Sequence, residues 1–113
     1  MMQSDVLIIN VARGGIINET ALVQALRNKQ IGAAATDVYV EEPAGLENSV
    51  LVQAAQDWAE DERKGGPLAE MNGRLVLSPH IAWWARSSLE KLQITVGANI
   101  EAWARGEATN VVL

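Results

Sequence analysis

The feature that most constrains this chain is an apolar run that stops dead. Val6-Leu7-Ile8-Ile9 ends at Asn10, and Val11-Ala12-Arg13-Gly14-Gly15 follows. A short apolar run bounded by glycines reads as a strand buried on both faces, as in a parallel sheet. Asn18-Glu19-Thr20 then opens a helical pattern, with Asn18 as N-cap and Glu19 at the positive helix end. Arg13 therefore lies at the carboxyl end of a parallel strand, where open α/β sheets bind ligands. The adjacent glycines allow a tight turn or a close backbone approach.

The pattern recurs. The first helix is predicted over 19–28, with Leu22, Ala25 and Leu26 on its apolar face. A second strand is predicted over 33–39, its small Ala33-Ala34-Ala35 suited to closely packed helices, with Asp37 near its end and Glu42-Pro43 beyond. A third is read from Leu75-Val76-Leu77 and ends in Ser78-Pro79-His80. Between them, residues 44–66 read as an excursion: a short surface helix capped by Asn48-Ser49, with Val50, Leu51, Ala54, Ala55 and Trp58 as apolar positions and a flexible Gly65-Gly66-Pro67 exit. A last helix is predicted over 88–104, with a Ser87/Glu90 capping box, an apolar stripe of Leu89, Leu92, Val96, Ile100 and Trp103, and a stop at Gly106. The tail Val111-Val112-Leu113 reads as a docking segment. Alternating strands and helices imply an α/β fold with a parallel sheet and flanking helices.

Composition narrows the functions. With 113 residues there is room for one domain. A net charge of −5 and the lack of any basic run argue against nucleic acid and anionic membrane surfaces as partners. Cysteine is absent, which removes disulfides, zinc–thiolate sites and a cysteine nucleophile and suits a cytoplasmic protein. No metal-ligand spacing occurs, and neither a membrane span nor a leader peptide is apparent.

The three strand ends carry the chemistry. Arg13, Asp37 with Glu42, and His80, the sole histidine, should gather at one rim, since neighbouring strands lie about 4.8 Å apart. A guanidinium grips a carboxylate with two parallel hydrogen bonds. An imidazole can give a proton to an oxygen becoming an alkoxide, and a neighbouring carboxylate orients the ring and favours its charged form. Each residue also has a plain alternative: a solvated loop arginine, a turn-capping aspartate, a solvated glutamate before proline, a structural histidine. Their shared placement at the ligand edge is what favours chemistry.

Three ordered motifs then carry a resemblance. Asn10-Val11-Ala12-Arg13-Gly14-Gly15 with Asn18-Glu19 and Ala21-Leu22, Gly32 through Tyr39 with Glu42-Pro43, and Leu77-Ser78-Pro79-His80-Ile81-Ala82 are similar to signatures of the D-isomer-specific 2-hydroxyacid dehydrogenases. Ile81-Ala82-Trp83 and Asn110-Val111-Val112 look nearest to the glycerate dehydrogenase and hydroxypyruvate reductase branch. The resemblance implies the second half of a Rossmann-type NAD(P)-binding domain, spanning 1–113, with a helical insertion at 44–66 and with the first half and the substrate domain absent.

It further implies that Arg13 holds the substrate carboxylate, that His80 is the acid/base and that Glu42 pairs with it. Asp37 would meet the nicotinamide carboxamide, and Val11, Ala12, Arg13, His80, Ile81, Ala82 and Trp83 would line the pocket for the nicotinamide end of NAD or NADP. The implied substrates are small 2-keto and 2-hydroxy acids. No G-x-G-x-x-G occurs to hold a pyrophosphate. Two readings follow: the catalytic half of such an oxidoreductase, or a non-catalytic α/β module acting in assembly. In both, Val6 to Ile9 forms an exposed apolar edge, so a homo-oligomer or a complementary chain is expected.

Overall fold

A computed structural model describes residues 2–111. The chain forms two compact units, the first ending at Ile81 and the second beginning at Ala82. The first unit holds β1 (Leu7–Asn10), α1 (Glu19–Arg27), β2 (Ala33–Thr36), α2 (Val50–Arg63), a 3-10 turn (Ala69–Met71) and β3 (Leu75–Leu77). The strands form one parallel sheet in the order β1-β2-β3. Ile8, Ala34 and Leu75 stand abreast, and so do Asn10, Thr36 and Leu77. The partial Rossmann-like α/β arrangement expected from the sequence is therefore present.

The helices start and stop where local chemistry dictates. Asn18 Oδ1 accepts from Ala21 N at 2.9 Å, which caps α1 as expected. Lys29 (φ 55°) closes α1 in the left-handed region, with Gln30 N bonded to Ala25 O. Ser49 Oγ accepts from Val52 N at the start of α2. Arg74 ties the opposite end of the sheet, donating to Gly32 O at 2.7 Å and Ile31 O at 2.8 Å.

The core lies on one side of the sheet. Leu22, Val23 and Leu26 of α1 share a cluster with Ala34, Tyr39, Leu51, Ala54, Trp58, Met71 and Leu75. This corrects the reading of 44–66 as a surface excursion. Helix α2 is a core layer, and Trp58 is 1% exposed. Its exit is ordered as well: Gly65 and Gly66 donate to Glu62 O and Asp61 O, and Asp61 Oδ2 accepts from Leu68 N at 2.6 Å.

Three further expectations are corrected. β1 is not buried on both faces, because Leu7 (57%) and Ile9 (61%) point to the side opposite the α1–α2 layer and are exposed with Val76 (58%). β2 ends at Thr36 rather than Tyr39, since Asp37 through Val40 turn across the strand ends. In the second unit, α3 (Arg86–Ala104) begins two residues early behind Ala85, without a side-chain cap. The Ser87/Glu90 box does not form, and Glu90 pairs with Arg86 at 3.2 Å instead. Gly106 (φ 74°) does end α3, with Glu107 N bonded to Ala102 O. The stripe Leu92, Val96, Ile100 and Trp103 is exposed. Of the expected docking tail, Val111 is exposed, and Val112 and Leu113 lie outside the described residues.

Candidate active site

Every loop of interest leaves the sheet at one level. After β1, Asn10 folds its own loop: its Oδ1 accepts from Ala12 N and its Nδ2 donates to Arg13 O, both at 3.1 Å. This shapes the turn that presents Arg13. The Arg13 side chain is exposed and donates to Ala12 O at 2.7 Å. Gly14 lies flat against the next loop, and a Cβ there would stand 1.7 Å from Tyr39 O. Only a residue without a side chain permits that approach.

After β2, Asp37 N donates to Asn10 O at 3.0 Å and the side chain is buried. Asp37 Oδ1 accepts from Ser78 Oγ at 2.5 Å and from Ile81 N at 2.9 Å. Asp37 thus binds the ends of all three strands together. Glu42 Oε1 accepts from Tyr39 N at 3.0 Å, and the following Glu42–Pro43 peptide is cis.

After β3, Pro79 leads into His80, whose φ of 54° lies in the left-handed region. That backbone is uncommon for a non-glycine residue and is found preferentially at sites that over-determine it. Ser78 O accepts from His80 N at 3.1 Å. The ring comes to rest with Nδ1 2.6 Å from Glu42 Oε2. The hydrogen bond from His80, followed by that from Tyr39 N, holds the Glu42 carboxyl below the usual carboxylate range. Tyr39, Glu42, Pro43, Ala44, Pro79 and His80 line a cavity of about 350 Å³. That volume suits a small organic molecule.

Of the residues singled out in the sequence, Glu42 and His80 meet directly, and Asp37 is bonded to the His80 loop through Ser78 and Ile81. Arg13 shares the rim, with its guanidinium folded onto its own loop. Val11 and Ile81 are exposed on segments that flank Asp37. Ala82 and Trp83 open the second unit, where the Trp83 and Trp84 rings lie tilted at 42° with centroids 5.4 Å apart. Sequence reasoning overlooked Asn10 and Tyr39. An Asn just past an apolar run is a signal for a side-chain-closed turn. No sequence pattern marks the target of the Tyr39 hydroxyl.

A parallel α/β sheet with a carboxylate–imidazole pair at its carboxyl edge has its polar groups where open α/β folds bind their ligands. Residues 1–82 match the family described as D-isomer specific 2-hydroxyacid dehydrogenase, NAD binding domain. The chain belongs to that family. It is 32% identical over 111 residues to a glycerate dehydrogenase of Methylorubrum extorquens, a match covering 98% of this chain and 30% of the relative. It is 30% identical over 111 residues to a hydroxypyruvate reductase of Blautia hydrogenotrophica, covering 98% and 29%. Among solved structures it is similar to an NADPH-dependent glyoxylate/hydroxypyruvate reductase from Sinorhizobium meliloti in complex with citrate. That similarity has a TM-score of 0.69 at 29% identity and covers 96% of this chain and 29% of that one. The chain thus spans about 30% of the length of these relatives. Among the described residues no group of acids and histidines could hold a metal ion, and no helix is long and apolar enough to cross a membrane.

Proposed function

We propose that this chain is the catalytic half of an enzyme that interconverts 2-keto acids and D-2-hydroxy acids with NAD(P)H, acting on a hydroxypyruvate- or glyoxylate-type substrate. The observation that carries the reading is the 2.6 Å contact of His80 Nδ1 with Glu42 at the carboxyl edge of the sheet, beside a 350 Å³ cavity, in a member of this family.

The rim fits the nicotinamide end of the cofactor. Asp37 is a buried acceptor for a carboxamide N–H, and the segments bearing Val11 and Ile81 are both bonded to it. Val11, Ala12, Arg13, Asp37, His80 and Ile81, with Ala82 and Trp83 from the second unit, are the residues proposed to hold that end. When bound, the reduced nicotinamide supplies the hydride.

The remaining steps belong to side chains. Arg13 exchanges its bond to Ala12 O for the substrate carboxylate, which its planar fork binds bidentately and so fixes the keto group. Nδ1 is held by Glu42, and Nε2 is the nitrogen proposed to meet substrate. Nε2 gives its proton to the keto oxygen, so one hydride and one proton convert C=O to CH–OH. In reverse, Nε2 takes the hydroxyl proton. The glycine-rich half and a substrate domain are supplied with this part, in the same polypeptide or in another chain. Residues 44–66 are a helical insertion that supplies packing rather than chemistry.

The test is oxidation of NADH and NADPH with hydroxypyruvate and glyoxylate, with the glycine-rich half and substrate domain supplied, by the wild-type chain and by His80→Gln and Arg13→Ala. Wild-type turnover that falls at least about 100-fold in His80→Gln is the expected result, the scale of general acid–base catalysis. Arg13→Ala should act mainly by raising KM. With those parts supplied, a folded wild-type chain that neither binds nor oxidises either cofactor, or turnover indifferent to His80→Gln, would sink the proposal.

A further inference from the structure

Glu42 and His80 lie 38 residues apart on different loops, yet their side chains meet at 2.6 Å. One residue contacts both loops. Tyr39 N donates to Glu42 Oε1 at 3.0 Å, which leaves Oε2 for the ring. Tyr39 Oη donates to Ser78 O at 2.8 Å. That carbonyl also accepts from His80 N, so the phenol and the histidine backbone converge on one oxygen. The left-handed turn at His80 is fastened at that oxygen. Tyr39 O, in turn, rests against Gly14 of the Arg13 loop.

We propose that Tyr39 is the positioning residue of the Glu42–His80 pair, fixing the carboxylate through its backbone N–H and the imidazole through its hydroxyl and Ser78 O. The proposal rests on the pair being the acid/base of the reaction above. The bonds of Tyr39 run to Glu42 and to Ser78 O, and its part is to position the pair. A purely packing role for its buried ring would leave the hydroxyl dispensable, and Phe would replace it without consequence. A positioning role makes the hydroxyl necessary, because only the hydroxyl reaches Ser78 O.

The single histidine makes the test direct. Which ring nitrogen carries the proton in the neutral imidazole is set by the bond the other makes. It can be read from long-range ¹H–¹⁵N spectra in alkaline buffer. Other charges face this ring: Glu42 lies on Nδ1, and Asp37 is bonded to Ser78 and Ile81 on either side of it. Variants compared at one pH keep both carboxyl groups in place, so the comparison isolates the Tyr39 hydroxyl.

The wild-type chain is expected to hold the proton on Nδ1, facing Glu42. Glu42→Gln should abolish that preference. Tyr39→Phe should cut the Nδ1–H to Nε2–H ratio about two- to tenfold, the equivalent of one neutral hydrogen bond. An unchanged ratio in a folded Tyr39→Phe overturns the proposal. Should that variant fail to fold, the wild-type protein supplies the same contrast. Tyr39 is the only tyrosine, so its ionisation can be followed by absorbance near 295 nm. The tautomer ratio must then change in step with loss of the phenolic proton, and a ratio that stays constant through that step overturns the proposal. Neither measurement needs turnover. A chain that stays inactive with the glycine-rich half and substrate domain supplied, but has a Tyr39-dependent tautomer, would therefore sink the functional reading and leave this one standing.

Discussion

Glu42 is bonded to both His80 and Tyr39, and Glu42 and Tyr39 shift their ionisation in opposite directions. Burial, then the charges of Asp37, Glu19 and Glu42, push the Tyr39 phenol above its ordinary 10.0. The hydrogen bonds from His80 and Tyr39 pull the Glu42 carboxyl below its ordinary 4.5. A depressed acid stabilises the fold above its unfolded value, and that contribution is lost as pH falls through the folded value. A raised phenol stabilises below about 10, and its contribution is lost as pH rises through the folded value. Melting temperature followed against pH should therefore show a shallower acid limb in Glu42→Gln and a shallower alkaline limb in Tyr39→Phe. Limbs that superimpose on the wild type would remove these residues from the pH dependence. The chemistry-bearing residues were legible because strand ends are legible: Arg13, Asp37 and His80 each follow an apolar run. The hydroxyl of Tyr39 was not, because its target is a backbone carbonyl 39 residues away.

Among the elements, α2 carries the sharpest lesson. Its second half, Asp57 through Lys64, is so polar that the sequence reads as a solvated helix. Depth is decided by the partner surface, and the partner here is unusually bare. Of its three alanines β2 gives this cluster only Ala34, because Ala33 and Ala35 stand abreast of Leu7 and Ile9 on the other face, so bulk must come from elsewhere, and Leu51, Ala54 and Trp58 of α2 supply it. Trp58→Ala is expected to cost about 3–5 kcal/mol in urea unfolding. Trp58→Phe should cost much less, because the buried Trp58 Nε1 has no hydrogen-bond partner and its loss strands no acceptor. Equal losses in the two variants would mean that the indole itself, and not the volume it fills, matters at this position. The α3 N-terminus shows the opposite failure. Ser87 and Glu90 had capping-box spacing, but Arg86 is already helical and takes Glu90 for itself.

For the whole molecule, the exposed side of the sheet matters most. Leu7, Ile9 and Val76 form an uncovered apolar patch beside β1, which is an edge strand among the described residues. Such an edge is a template for pairing. The expectation of an apolar β1 edge was legible from Val6 to Ile9, whereas burial on both faces was not, because covering a second face depends on elements a single strand does not reveal. Sedimentation velocity should show concentration-dependent association of the chain, weakened in Ile9→Lys. A wild-type chain that stays monomeric at high micromolar concentration would rule this out. The row of Asn10, Thr36 and Leu77 has a different consequence. Arg13 follows that row by three residues, Asp37 by one and His80 by three. The strands end where these loops begin, yet Asp37 and Tyr39 bond the loops back onto the strand ends and the core, so an engineer who reshapes a tip also loosens a fastener of the sheet.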